Sequence, residues 1–128
     1  MVKVRCLRFW RGLDFWKVFD AVVSSFSMLL LSPDMFREAS RRICKAIKCD
    51  GLFYLSLNEP SNRSKNPDDE VYVNIMGQDM YSRAYTSKEI GDIFIGLGFN
   101  QVSFYRETQF SKEFGEEHVI EFVFKKGM

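Results

Sequence analysis

Residues 20–57 constrain the fold more than any other stretch, because their pattern predicts one strand–helix–strand unit. Residues 20–25 (DAVVSS) and 52–57 (LFYLSL) are short apolar runs of strand length. Between them lies a stretch with helical periodicity, long enough to carry the chain back to the start of a neighbouring strand. The unit therefore predicts two parallel strands with a right-handed crossover, and an α/β sheet.

The helix of this unit has signals at both ends. Ser32 is a suitable N-cap, and Pro33 suits the first helical position, where no amide hydrogen is needed. Gly51 is the residue at which we expect the chain to leave the helix before the next strand. The 3–4 spacing of apolar residues predicts a buried stripe made of Met35, Phe36, Ala39, Ile43 and Ile47.

Composition fits one globular domain over residues 1–128. Of the 128 residues, 46% are hydrophobic and 13 are Phe, which is enough to form a core. The net charge of +1 argues against a dedicated nucleic-acid binder, since such proteins usually carry excess positive charge. No apolar run reaches the roughly 18 residues of a membrane span. Since the start of the chain also lacks the apolar core of a signal peptide, we expect a cytoplasmic protein.

The cysteines do not predict a metal site. Cys6, Cys44 and Cys49 are odd in number and form no CxxC pair, and the chain has one His. We therefore expect ordinary reduced thiols and no bound metal.

The segments before and after the central unit extend this picture. Residues 2–7 (VKVRCL) alternate like a strand with one wet face. Residues 8–19 carry two Trp and three Phe among charges, either as a cap on the core or as an exposed patch that meets a partner or ligand. Residues 58–70 are dense in Asn, Ser, Pro and charge, which predicts a mobile surface loop.

The second half of the chain predicts a hairpin, a helix and two strands. Residues 70–76 alternate with period two and can pair with residues 80–85 across 77–79. Thr86 and Glu89 form a capping box that opens a helix. Gly98 is predicted to end this helix, and residues 100–106 and 118–124 are predicted to form two further strands. The buried stripe of the helix is predicted to be Ile90, Ile93, Phe94 and Leu97.

Taken together, three stretches resemble the C-terminal half of a class I S-adenosylmethionine-dependent methyltransferase. They are FDAVVSSFSMLLLSPDMF, KAIKCDGLFYLSL and YSRAYTSKEIGDIFIGLGFNQVSFYRE. In that family a strand of the FDxV type ends near the methyl donor, and a Tyr-Thr-x-x-Glu-Ile helix leads through Gly-Phe into two closing antiparallel strands. The order and spacing of these stretches are more specific than any one of them.

The resemblance implies a truncated Rossmann-like methyltransferase sheet. It is a mixed α/β sheet with an antiparallel C-terminal hairpin and helices packed on it. No GxGxxG-like run occurs in the chain, although in the family a glycine-rich turn lets the backbone approach the cofactor. The implied domain therefore lacks the N-terminal cofactor-binding strands.

The resemblance also implies site residues, each with an alternative that stays open. Ser24, Ser25, Phe26 and Ser27 would lie beside the methionine end of S-adenosylmethionine, or they simply end the strand. Tyr81, Arg83 and Tyr85 would face the methyl acceptor, or form the hairpin surface.

Two further residues carry ionisable groups near the predicted strand ends. Glu59, at the carboxyl end of the LFYLSL strand, is a candidate general base for the acceptor, or a solvated loop acid. His118 begins an edge-type strand and is expected to be structural.

Two functions follow from these expectations. The first is a methyltransferase-like protein that transfers methyl groups when completed by a dimer mate or by a separate N-terminal-half partner. The second is a non-catalytic remnant that acts as an interaction or binding module. In either case a strand left bare at residues 20–25 would invite pairing, either with residues 2–7 of the same chain or with another chain. Our hypothesis is a homo-oligomer or a complex with a separate N-terminal-half partner.

Overall fold

The computed structural model describes residues 17–60, 72–112 and 115–127. The predicted strand at 2–7, Cys6, most of the aromatic segment 8–19 and most of the loop 58–70 lie outside them. The described elements, in chain order, are β1 (Phe19–Ser25), a short 3₁₀ turn (Met28–Leu30), α1 (Pro33–Ala46), β2 (Ile47–Glu59), β3 (Tyr72–Ile75), β4 (Gln78–Tyr81), α2 (Ser87–Gly96), β5 (Phe99–Ser111) and β6 (Gly115–Lys126).

The predicted parallel pair is confirmed. β1 runs parallel to β2, with Val22 opposite Phe53 and Ser24 opposite Leu55, and α1 connects the two strands. The four-stranded sheet has the order β1-β2-β6-β5, and both β2–β6 and β5–β6 are antiparallel. The expectation of a mixed α/β sheet with an antiparallel C-terminal hairpin is therefore correct.

Helix α1 begins as predicted but differs in its buried stripe. The Ser32 side chain accepts a hydrogen bond from the Met35 amide, and Pro33 is the first helical residue. Phe36, Ala39 and Ile43 are fully buried, whereas Met35 is 37% exposed. The prediction for Met35 was wrong because the stripe runs along 36, 39–40, 43 and 46, and position 35 lies at its margin.

Gly51 does not end the helix. Helix α1 stops at Ala46, and β2 starts directly at Ile47. The register then moves from Phe19–Ile47 to Ala21–Leu52, so the intervening part of β2 bulges out of the pairing. Gly51 is buried in this bulge, where an added Cβ would lie 2.9 Å from the Asp20 carbonyl oxygen and 2.4 Å from Ile47 Cγ2. A close approach of two strands, and not a helix cap, requires glycine here.

The second half of the chain follows its local signals. β3 and β4 form the predicted hairpin, but the turn is the two-residue Met76–Gly77, with φ of 54° and 82°. β4 ends at Tyr81, so the prediction that pairing extends to Tyr85 was wrong. The Thr86–Glu89 capping box opens α2 as predicted, and Gly98 follows the helix with φ of 93°.

Both helices pack on one face of the sheet. The ring of Phe94 in α2 lies 4.8 Å from that of Phe124 and 5.2 Å from that of Phe53. Phe36 of α1 packs 6.4 Å from Phe94, which joins the two helices over the same strands. Within the described residues, neither helix is long and apolar enough to cross a membrane.

The other face of the sheet is named the open face. Strand pairing places Val23, Tyr54 and Val123 in one row of this face. The next row, towards the carboxyl ends of β1 and β2, holds Ser25, Ser56, Glu121 and Tyr105.

Candidate functional site

The parallel strands β1 and β2 end side by side, which defines one edge of the sheet as the candidate site. Ser25, the last residue of β1, lies opposite Ser56, three residues before the end of β2. In open α/β sheets, ligands bind beyond the carboxyl ends of the strands. Since β5 runs antiparallel to β6, and β6 antiparallel to β2, the carboxyl end of β5 reaches the same edge.

The turn after β1 has an unusual backbone. Phe26 has a φ of 53°, a left-handed conformation that a bulky side chain seldom adopts. Its amide donates to the Ser56 carbonyl at 3.0 Å, and the Ser24 and Ser27 hydroxyls lie 3.1 Å apart across the turn. These bonds hold the strained residue in place, and strain of this kind is concentrated at functional sites.

The four predicted cofactor residues differ in exposure. Ser24 is buried and its hydroxyl is engaged with that of Ser27, which is half-buried. Ser25 and Phe26 are exposed at the strand end. A ligand beyond β1 would therefore meet Ser25 and Phe26 first, while Ser24 supports the turn from below.

Residues 82–86 close this edge by tying the two strand ends together. The Arg83 amide donates to the Leu29 carbonyl at 2.9 Å, and the Tyr85 amide donates to the Asn58 carbonyl at 2.9 Å. The Tyr85 hydroxyl donates to the Leu31 carbonyl at 3.1 Å. The segment therefore fixes the loop after β1 against the end of β2.

Two of the three predicted acceptor residues turn inward. Arg83 and Tyr85 are 5% and 2% exposed. The Arg83 guanidinium lies 3.0 Å from the Glu89 carboxylate and 4.7 Å from the centre of the Tyr85 ring. Burial raises the pKa of the Tyr85 hydroxyl, which keeps it protonated. Tyr81, at the end of β4, is half-buried, and contact of any of the three with an acceptor stays a prediction.

Glu59 is not a loop residue, because it closes β2. Its side chain is only 13% exposed, and its carboxylate is held by Arg106 of β5, with Nε at 2.6 Å from Oε1 and Nη2 at 3.1 Å from Oε2. The Arg106 guanidinium also lies 5.2 Å from the centre of the Phe104 ring. Sequence reasoning missed Arg106, since its contact with Glu59 arises only because β6 brings β5 within reach of β2.

His118 lies beside this pair. His118 lies on β6, opposite Glu59 of β2 and opposite Thr108 of β5. Its strand is therefore central in the sheet and not an edge strand as predicted. The Nε2 atom of His118 lies 3.5 Å from the Glu116 carboxylate. This atom is buried and has no hydrogen-bond partner within the described structure. Glu59, Arg106 and His118 together form a cluster of ionisable side chains at the same edge as the turn after β1.

The thiols and carboxylates elsewhere do not assemble into a site. Burial raises the pKa of the Cys44 thiol, which donates to the Leu97 carbonyl, and Cys49 is exposed. Among residues 17–60, 72–112 and 115–127, no group of three or more His, Cys, Asp or Glu side chains could hold a metal ion.

Solved structures of other proteins have a fold similar to that of this chain. The chain is similar to the 1,6-didemethyltoxoflavin-N1-methyltransferase of Burkholderia thailandensis, solved with bound 1,6-didemethyltoxoflavin and S-adenosylhomocysteine. The TM-score is 0.69 at 20% identity, over 93% of this chain and 48% of that one. A SAM-dependent methyltransferase from Methanosarcina mazei gives a TM-score of 0.76 at 13% identity, over 94% of this chain and 65% of that one.

A third similar structure has a different activity. The [4+2]-cyclase SpnF gives a TM-score of 0.63 at 12% identity, over 97% of this chain and 55% of that one. The chain thus spans between about half and two thirds of the length of these three structures. No protein-family model and no curated protein matches the sequence.

These likenesses confirm the resemblance at the level of the fold. The shorter span is consistent with the C-terminal half that the resemblance implies. The chain therefore has the fold of the S-adenosylmethionine-dependent methyltransferases.

Proposed function

We propose that the chain is a methyltransferase-like domain that holds the methionine end of S-adenosylmethionine at the carboxyl end of β1. The observation that carries this proposal is the strained turn at Phe26, which presents Ser25 and Phe26 at the strand ends of a methyltransferase fold. Ser24 and Ser27 support that turn through their hydroxyl contact. The sulfonium of the cofactor, when bound, supplies the activated methyl group.

The residues of this chain fit only part of the cofactor. Accessible Ser25 and Phe26 suit the methionine end, whereas the adenosyl end calls for a close backbone approach that a glycine-rich turn permits. No GxGxxG-like run is present among the 128 residues. We therefore propose that methyl transfer occurs only when a second chain completes the site, either a dimer mate or a separate N-terminal-half partner.

The chain's own contribution to the reaction would be alignment. Methyl transfer is an in-line displacement, so the protein mainly positions donor and acceptor and excludes water. Tyr81 and the Glu59–Arg106 pair lie at the site edge, where an acceptor would approach. Because both carboxylate oxygens of Glu59 are bonded to Arg106, we assign Glu59 to acceptor positioning. Buried Arg83 and Tyr85 hold the segment that follows Tyr81 against the loop after β1 and the end of β2.

Calorimetric titration with S-adenosylmethionine and S-adenosylhomocysteine tests the proposal. We expect heat at millimolar ligand from the chain and a loss of that heat in Phe26→Ala. The matched control is Ile95→Ala, which removes an exposed apolar side chain near the carboxyl end of α2 and should leave binding unchanged. A chain that gives no heat at millimolar ligand does not bind the cofactor alone.

A second candidate function is a non-catalytic interaction module. It is favoured by the open face, where Val23 and Tyr54 remain 38% and 41% exposed on a parallel strand pair. Parallel strands normally have both faces covered. The fold itself does not decide between the two functions, since one fold supports different chemistries. Under either function we propose a cytoplasmic protein.

A further inference from the structure

The open face has an apolar row across three adjacent strands. Val23 of β1, Tyr54 of β2 and Val123 of β6 lie side by side in register. Val23 and Tyr54 are more than a third exposed, and Tyr105 of the next row is 54% exposed. A shallow cavity of about 280 Å³ lies over this row, and Val23, Tyr54, Val123 and Glu121 are among the residues that line it. The row can therefore receive side chains from another surface.

Two opposite charges flank the apolar row. Along β6, Glu121, Val123 and Lys125 alternate onto the open face, and both charged residues are exposed. Glu121 lies in the row with Ser56, and Lys125 lies in the row with Leu52. Along β6, the open face thus has an acidic end at Glu121, an apolar centre at Val123 and a basic end at Lys125.

This order of charges is complementary to itself when reversed. Consider a second copy that is related by a two-fold axis at Val123 and whose strands run in the opposite direction. Glu121 of each copy then faces Lys125 of the other, so the interface contains two such pairs. Sheets stacked face to face lie about 10 Å apart, a distance that facing Glu and Lys side chains span together. A two-fold dimer uses one self-complementary patch on both copies.

We propose that the open face binds a second copy of this chain, with the two sheets stacked antiparallel around Val123. The apolar rows of Tyr54 and Val23 form the centre of the interface, and the Glu121–Lys125 pairs fix its direction. The proposal goes beyond methyl transfer, since it identifies the surface and the partner. It stands on exposure and charge alone and involves no cofactor.

Charge reversal tests the direction of stacking. We expect wild-type protein to show a mass that rises with concentration towards that of a dimer in sedimentation equilibrium. Glu121→Lys alone sets Lys against Lys, and Lys125→Glu alone sets Glu against Glu, so each should weaken self-association by about tenfold or more. A mixture of the two variants should form a heterodimer, since every facing pair is then opposite in charge. The double variant should recover the wild-type association.

Matched controls and contrary outcomes are available on the same chain. Lys88→Glu and Asp92→Lys reverse an exposed pair on α2, four residues apart like Glu121 and Lys125 but outside the open face. These variants should associate like the wild type. A concentration-independent monomer mass would overturn the proposal, as would a dimer that tolerates both reversals or a mixture without heterodimer. Calorimetry measures cofactor binding, whereas sedimentation equilibrium measures self-association. Failure of the proposed cofactor site and failure of the proposed dimer can therefore be told apart.

Discussion

At the residue scale, Tyr85 holds together the segments that surround the candidate site. Its amide bonds to Asn58 at the end of β2, and its hydroxyl bonds to the Leu31 carbonyl before α1. Its ring lies 4.5 Å from that of Phe36. A single buried residue, through its amide, its ring and its hydroxyl, therefore connects the end of the second strand, the first helix and the loop after β1.

Tyr85→Phe should destabilise the protein without changing its shape. The ring remains, but the buried Leu31 carbonyl loses its donor, which we expect to cost about 1–2 kcal/mol of unfolding free energy. Urea denaturation at neutral pH measures the change. Tyr105→Phe, at an exposed strand position, is the control and should stay within about 0.5 kcal/mol of wild type.

The same hydroxyl should make stability depend on alkaline pH. Burial raises its pKa, so the folded protein keeps the proton at a pH where the unfolded chain loses it. This contribution is complete below the unfolded pKa of about 10 and declines as the pH rises above it. Tyr85→Phe should therefore show a shallower loss of unfolding free energy between about pH 9.5 and 11. Parallel urea titrations at several pH values give both slopes, and identical slopes would contradict the assignment.

At the element scale, two glycines in different elements should respond oppositely to the same substitution. Gly51→Ala places a methyl group against backbone atoms of Lys48 and Asp20, and should cost about 1–3 kcal/mol. Gly91→Ala adds a methyl group within α2 where nothing lies within 4 Å, and should stabilise by about 0.5–1 kcal/mol. Thermal and urea unfolding of both variants provide the comparison. A neutral Gly51→Ala would show that the β2 bulge is not tightly packed.

The start of α2 depends on its capping box. The Thr86 hydroxyl accepts from the Glu89 amide at 3.1 Å, and the Glu89 carboxylate accepts from the Thr86 amide at 3.1 Å. We expect Thr86→Ala to cost about 1 kcal/mol, because an N-cap oxygen is lost. Thr86→Ser keeps the oxygen and should retain most of the stability. Equal losses in the two variants, measured by urea denaturation, would argue against capping as the cause.

Local signals account for what the sequence predicts well. The Ser32–Pro33 signal and the Thr86–Glu89 signal each begin a helix through residues that are close in sequence. The apolar run LFYLSL is likewise a local strand pattern. The errors at Gly51 and Glu59 involve distant residues. The role of Gly51 depends on the approach of β1, and the Glu59–Arg106 contact depends on β6 lying between β2 and β5. Neither relationship is encoded in any window of neighbouring residues.

At the scale of the whole molecule, the last strand joins the sheet to the first helix. Lys126 Nζ donates to the Cys44 carbonyl at 2.6 Å and to the Ile47 carbonyl at 2.8 Å. It thereby satisfies backbone oxygens where α1 ends and β2 begins, a position at which a cation is favourable. One side chain near the end of β6 thus fixes the junction on which the parallel pair depends.

Lys126→Met should destabilise the whole molecule, because two carbonyls lose a charged donor at once. We expect a cost of about 1.5–3 kcal/mol in unfolding free energy. The control is Lys112→Met, at an exposed position in the β5–β6 turn. Urea denaturation followed by circular dichroism should show one shifted transition for Lys126→Met. A shift no larger than that of the control would contradict a role at this junction.

The order β1-β2-β6-β5 has a consequence for how the protein is made. Among the described strands β6 comes last, yet it is β6 that pairs β5 with the rest of the four-stranded sheet. On the ribosome, the nascent β1–α1–β2 unit can emerge and collapse early, while β5 waits without a neighbour. Closure of the sheet is therefore delayed until residues 115–126 have left the exit tunnel, and until then the edge of β2 is open to chaperones and to other nascent chains.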